Sequence, residues 1–170
     1  MEIPPNIESY DRDNVPDPAL AWQMAEFFAA NYPDMHDPLE RAQDLEKHGS
    51  VDAILEQLRE EYFILIQRGF QGRIAGLLEW KPIRVEGIIY AELTWLMTDS
   101  ALRGQGVGRS LHDVFVEQAT QIKQGVTEPV ALRLSVHKNN TARTFFRKIR
   151  YTQWSQSPTN HKKIFMGREL

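Results

Sequence analysis

Arg103-Gly104-Gln105-Gly106-Val107-Gly108 is the stretch whose reading decides the fold of this 170-residue chain. It follows an apolar, strand-like run, Ile88-Ile89-Tyr90-Ala91-Glu92-Leu93-Thr94-Trp95-Leu96-Met97. It leads into Arg109-Ser110-Leu111-His112-Asp113-Val114-Phe115-Val116-Glu117-Gln118-Ala119, where apolar residues recur at helical spacing. Glycines at the mouth of a helix let backbone come close to a ligand, and the free N–H groups of the first turn attract anions. The stretch predicts a phosphate-binding turn.

Two common phosphate ligands are excluded by detail. A nucleoside-triphosphate loop ends in Gly-Lys-Ser/Thr, whereas Gly108 is followed by Arg109-Ser110. A dinucleotide turn has GxGxxG directly after its strand and an acidic residue about 20 positions on. Here the glycines run GxGxG, and Asp99-Ser100-Ala101-Leu102 separates Arg103 from the strand. The next strand-like run, Val130–Val136, ends in His137-Lys138 with no carboxylate to hold a ribose.

The turn resembles the pyrophosphate loop of the GNAT acetyltransferase superfamily, Arg/Gln-x-x-Gly-x-Gly/Ala, with Arg103, Gly106 and Gly108 at the matching positions. A second resemblance follows about 30 residues later. In His137-Lys138-Asn139-Asn140-Thr141-Ala142-Arg143-Thr144-Phe145-Phe146, Asn139 and Ala142 match the family's next signature, and Tyr151 matches its closing aromatic. Asn139 and Asn140 also suit helix N-capping, which needs no ligand. The resemblance covers roughly residues 62–155 well and the N-terminal third poorly.

The resemblance implies acetyl-CoA as co-substrate, with Leu96 and Thr98 along the pantetheine arm and Arg103, Gly104, Gln105, Gly106, Val107 and Gly108 around the pyrophosphate. Arg109, Ser110, Asn139 and Phe146 complete the implied cofactor-binding set. Two departures stand out. Phe146 occupies the place of the usual Tyr, which is commonly assigned to protonate the departing thiolate, and Phe has no exchangeable proton. Arg150 replaces the usual Gly before the closing aromatic, which predicts a different helix exit.

Bulk properties bound the function. The length suits one domain, residues 1–170, and 42% hydrophobic with 25% charged residues is ordinary for a globular chain. The longest apolar runs fall far below the ~18 residues that span a bilayer, so no membrane partner is expected. Met1-Glu2-Ile3-Pro4-Pro5 carries no secretory pattern, and the absence of cysteine fits a cytoplasmic enzyme without thiolate metal sites or a Cys nucleophile. Any acetyl transfer then passes directly from CoA to acceptor or through a non-Cys group. Residues 1–61 hold 15 acids against 4 bases, and residues 62–170 hold 8 against 16. The basic part suits an anionic ligand; the acidic part either draws a cationic amine or forms solvated helix faces.

Along the chain, Ile7–Tyr10 reads as a short strand. Asp17-Pro18 and Asp37-Pro38 read as helix starts, the second helix breaking at Gly49-Ser50 before resuming. Residues 62–68 and 73–80 read as a hairpin, 82–87 as a turn, and 88–98 as the next strand. After the glycine turn and its helix come a strand at 130–136, a helix at 139–149, and a strand pair at 151–154 and 163–167. This order predicts an α+β fold: a GNAT-like mixed, mostly antiparallel sheet with helices on both faces.

For catalysis, Glu92 shares strand parity with Leu96 and Thr98. It reads equally as a proton acceptor for the amine and as a Glu facing solvent or paired with a basic neighbour. His137 is the second candidate, an imidazole able to act as base or acid near neutrality. Glu79 is a third, for acceptor binding. His36, His48, His112, His137 and His161 are scattered without metal-ligand spacing. Trp80, Trp95 and Trp154 read as core or pocket wall. The basic cluster Arg143, Arg147, Lys148, Arg150 lacks interleaved aromatics, so no nucleic-acid partner is expected. The expectation is an acetyl-CoA-dependent N-acetyltransferase acting directly on a primary amine, cationic small molecule or peptide favoured. The rival is a CoA-binding sensor or partner subunit with little or no transferase activity. Oligomeric state stays open, a homodimer being compatible.

Overall fold

The computed structural model describes residues 6–33, 37–157 and 160–170. His36 and the Met1–Pro5 stretch considered above lie outside the described residues. The elements are β1 (Ile7–Tyr10), α1 (Pro18–Ala30), α2 (Pro38–His48), α3 (Val51–Arg59), β2 (Phe63–Arg68), β3 (Ile74–Val85), β4 (Ile88–Thr98), α4 (Val107–Gly125), β5 (Val130–His137), α5 (Ala142–Lys148), β6 (Thr152–Gln156) and β7 (Lys163–Glu169). Hydrogen-bonded neighbours follow the order β1-β2-β3-β4-β5-β7-β6. The β4–β5 pairing is parallel, while the β1–β2, β2–β3, β5–β7 and β6–β7 pairings are antiparallel. This is the expected mixed, mostly antiparallel α+β sheet.

Contacts group the chain into two compact units: residues 1–80 with 95–115, and residues 81–94 with 116–170. In the first, Asp17 and Asp37 cap α1 and α2 through their side chains, each with Pro at the helix start. Leu20, Met24, Phe27 and Phe28 of α1 form a core with Ile54 and Leu58 of α3, Ile64 and Ile66 of β2, and Leu77 and Met97. Side chains alternate across a strand, so Gly76, next to Leu77, faces the opposite way. There a Cβ on Gly76 would stand 2.6 Å from Val107 Cγ1 and 2.8 Å from Leu111 Cδ1 of α4. Helices therefore cover both faces of this sheet segment.

In the second unit, Ala91, Leu93, Leu132, Leu134, Val136, Ile164 and Met166 are buried with Phe146, Ile149 and Tyr151. The intervening residues Tyr90, Glu92, Arg133 and Phe165 are only half-buried. Trp154, 43% exposed, lies across Gly167, where any Cβ would strike its ring.

Three boundaries differ from the sequence reading. The strand expected to stop at Trp80 continues through Pro82 to Val85, because the turn is only Glu86-Gly87, both at positive φ (50° and 80°). Such a two-residue turn matches the twist of a hairpin. The helix expected from Asn139 begins at Ala142, because a turn intervenes in which Asn140 N donates to His137 O and Asn140 Oδ1 accepts from Ala142 N. Arg150 makes no new helix exit. It takes the left-handed conformation a glycine would take, φ 73°, while Tyr151 N donates to Phe146 O at 3.0 Å.

Candidate active site

The glycine stretch is built by local hydrogen bonds. Asp99 N donates to Ala75 O at 2.9 Å, and Asp99 Oδ1 accepts from Ala101 N at 2.9 Å, which winds a short turn at Ser100–Leu102. Gln105 N then donates to Leu102 O, and Ser110 N to Gly106 O, opening α4. Gly104 and Gly106 sit at φ 79° and 88°, a region that favours glycine, and no atom lies within 4 Å of where their Cβ would be. The cradle is therefore open on that side. The amides of Val107, Gly108 and Arg109 precede Ser110, the first amide to donate within the helix, so their N–H groups suit an anion. Gly108 lies near the end of β4, its Cβ position 3.5 Å from Thr98 Oγ1 and 3.9 Å from Leu96 Cδ2. Arg103 is exposed beside the cradle, while Arg109 pairs with Asp113 at 3.1 Å. Leu96 and Thr98 thus lie against Gly108, at the mouth of α4.

The backbone of β4 is also distinctive. Its parallel register with β5 pairs Ile89 through Leu93 with Val130 through Leu134, while β4 itself runs on to Thr98.

Glu92 is an ion-paired residue. Arg133 Nη2 and Nε approach its Oε2 at 2.5 and 2.6 Å. The guanidinium lies 4.7 Å from the Tyr90 ring centroid and 4.9 Å from that of Phe165. His137 ends β5, is buried, and accepts from Asn139 N through Nδ1 at 3.4 Å. The Asn139 side chain is exposed. Phe146 is buried, its ring 5.2 Å from Phe145 and 5.5 Å from Tyr151.

Glu79, the third candidate of the sequence, has a buried partner that the sequence reading missed. His48, in the last turn of α2, places Nε2 3.1 Å from Glu79 Oε1 and Nδ1 3.0 Å from Asp44 O. The two side chains are 4% and 1% exposed. A carbonyl only accepts, so Nδ1 carries a proton, and one further proton is shared between Nε2 and the carboxylate. Burial alone would lower the His48 pKa, but the Glu79 carboxylate outweighs it and the net shift is upward. The imidazole stacks on Phe28 (4.5 Å, 13°) and meets Trp95 edge-on at 5.8 Å. Tyr32, 5.8 Å from Trp95, donates to Asp44 Oδ2 at 2.6 Å; burial first, then that carboxylate, pushes its hydroxyl pKa up. A charged residue inside the apolar run Ile74–Trp80 was the available signal.

The family model for the acetyltransferase (GNAT) family matches residues 19–150. No curated protein matches the sequence. Among solved structures, a PaiA N-acetyltransferase from Thermoplasma acidophilum in complex with coenzyme A has a TM-score of 0.67 at 17% identity, covering 96% of this chain and 99% of that one. An aminoglycoside 6'-acetyltransferase type Ii gives 0.67 at 16% identity with 96% of each chain covered. An aminoglycoside 6'-N-acetyltransferase complexed with coenzyme A gives 0.65 at 15%, again 96% of each. At these identities the likeness is one of fold.

Proposed function

The chain belongs to the acetyltransferase (GNAT) family, and from that premise we propose that it moves an acetyl group from acetyl-CoA directly to a primary amine. The observation that carries the reading is the open cradle: Gly104 and Gly106 at positive φ before the N-terminus of α4, with Gly108 over Leu96 and Thr98. Free amides and a helix N-terminus suit the pyrophosphate of CoA. Residues 94–98, beyond the last β4–β5 pair, have backbone groups suited to the pantetheine arm. We take residues 1–170 as one catalytic domain, since β3, β4 and α4 each run through both compact units.

The absence of cysteine rules out a Cys thioester intermediate, which supports direct transfer. The amine nitrogen attacks the thioester carbonyl carbon, the tetrahedral adduct collapses, and the C–S bond breaks with its electron pair on sulfur. Phe146 offers no proton. A thiol pKa of about 8.5 lets the thiolate leave near neutral pH without one. The acidic balance of residues 1–61 supports a cationic acceptor, small molecule or peptide. No helix of the described residues is long and apolar enough to cross a membrane; the cysteine-free composition supports a cytoplasmic setting.

Calorimetry with acetyl-CoA, followed by an amine panel that includes aminoglycosides and peptides with thiol-release detection, tests the proposal. Binding and turnover are expected. Binding without turnover on any amine would favour the second reading that Phe146 supports, a CoA-binding sensor or partner subunit. No binding at all would sink both.

A further inference from the structure

Thr94 carries a hydroxyl that the fold does not use. Its Oγ1 is buried and has no hydrogen-bond partner among the described residues. A buried hydroxyl without a partner is costly, and native structures keep few of them. Its position is specific: Thr94 follows Leu93, the last residue of β4 paired with β5, and precedes the segment of β4 that continues to Thr98. Glu92, two residues earlier on the strand, is ion-paired with Arg133 through Oε2. Among the described residues 89–95, Thr94 Oγ1 is the buried side-chain polar atom that lacks a hydrogen-bond partner.

We propose that the Thr94 hydroxyl donates a hydrogen bond to the thioester carbonyl oxygen of acetyl-CoA and holds it as negative charge develops there. The inference rests on the acetyl-CoA reading above, in which Leu96 and Thr98 follow the pantetheine arm. Thr94 lies two residues further back along the same strand, toward the acyl end of that arm and away from the cradle at Gly104–Gly108. The electron count is simple. As the amine nitrogen bonds to carbon, the carbonyl π pair moves onto oxygen, where Thr94 O–H donates without giving up its proton. Collapse returns that pair to carbon, the C–S pair leaves on sulfur, and the nitrogen releases its extra proton to water. Thr94 ends as it began. A donor already sealed from bulk water loses little solvation when the oxyanion forms, which is the condition under which such donors accelerate acyl transfer most.

Thr94→Val and Thr94→Ser separate this role from a structural one. Valine keeps the shape and removes only the hydroxyl, so deleting a partnerless group should leave the thermal midpoint unchanged or raise it. The expected result is a kcat roughly 100-fold lower for Thr94→Val, an acetyl-CoA dissociation constant within about 2-fold of the parent, and most of kcat retained by Thr94→Ser. A readout independent of turnover is the infrared band of carbonyl-labelled acetyl-CoA bound to the protein. A donor on the carbonyl lowers its frequency, so the band should move up in Thr94→Val and stay in Thr94→Ser. A band and a kcat untouched by Thr94→Val would overturn the proposal. A kcat loss matched by an equal loss in Thr94→Ser, with the band unmoved, would overturn it too. A Thr94-dependent band in a protein that acetylates no amine would uphold the contact while removing the transferase reading. A protein that binds no acetyl-CoA removes both.

Discussion

His48 and Glu79 share one proton across 3.1 Å inside the core, joining the end of α2 to the middle of β3. The net shift of His48 is upward from its ordinary value of 6.5. A group that holds its proton more tightly when folded adds stability that is complete below the unfolded value and is lost as pH rises through the folded one. The stability difference between the protein and its His48→Gln variant should therefore shrink as pH is raised from 5 to 9. Urea midpoints at each pH measure it, and a difference that grows on the alkaline side would refute the shared-proton picture. Glu79→Gln should cost about 3 kcal/mol near neutral pH, because it leaves the buried imidazole without its carboxylate.

Gly76 decides how closely α4 can approach the sheet. A methyl group there would meet Val107 Cγ1 at 2.6 Å, Leu111 Cδ1 at 2.8 Å and Met97 O at 3.2 Å. Gly76→Ala should cost about 1–3 kcal/mol through overpacking. It should also displace the first turn of α4, whose amides form the anion cradle. Acetyl-CoA affinity is expected to fall with stability, by calorimetry on protein kept well below its melting temperature. Full affinity in a destabilised Gly76→Ala protein would mean that the cradle does not depend on this close approach.

What could be read in the sequence was mostly what is local in the chain. The caps Asp17 and Asp37, the strand at Ile88–Thr98 and the turn at Arg103–Gly108 each rest on neighbours within a few residues. The His48–Glu79 pair joins residues 31 apart, and Glu92–Arg133 joins residues 41 apart across a parallel ladder. No local pattern specifies either, so Glu92 stayed balanced between base and ion pair. Gly76 was a missed opportunity: a glycine inside an apolar strand often marks close backbone approach. At Pro82 the turn signal misled. Proline removes a ladder donor but is compatible with extended backbone, and Glu86-Gly87 alone reverse the chain.

Arg150 stores strain that a single substitution can release. Its side chain is exposed while its backbone sits at φ 73°, where a non-glycine residue costs about 1–2 kcal/mol. Arg150→Gly should therefore stabilise the protein by roughly 1 kcal/mol, part of the gain being offset by the greater entropy of glycine in the unfolded chain. Chemical denaturation gives the value directly. A neutral or destabilising result would show that the guanidinium makes compensating contacts.

Gly106 separates the ligand role of the cradle from its structural role. Its φ of 88° lies in the left-handed region, yet no atom stands within 4 Å of the Cβ an alanine would add. Gly106→Ala thus meets no steric wall in the protein, and its cost is conformational, about 1 kcal/mol. If the backbone here wraps a pyrophosphate, the added methyl projects into space the ligand needs, and alanine also shifts the local backbone away from positive φ. Acetyl-CoA binding should then weaken at least about 10-fold, more than the loss of stability accounts for. Parallel calorimetry and denaturation on the same preparation compare the two. The anion assignment makes a second demand: since charge attraction is screened by salt, the parent's affinity should fall between low and high ionic strength, and more steeply than that of Gly106→Ala. Equal salt dependence in both, with affinity unchanged by the methyl, would place the phosphate elsewhere.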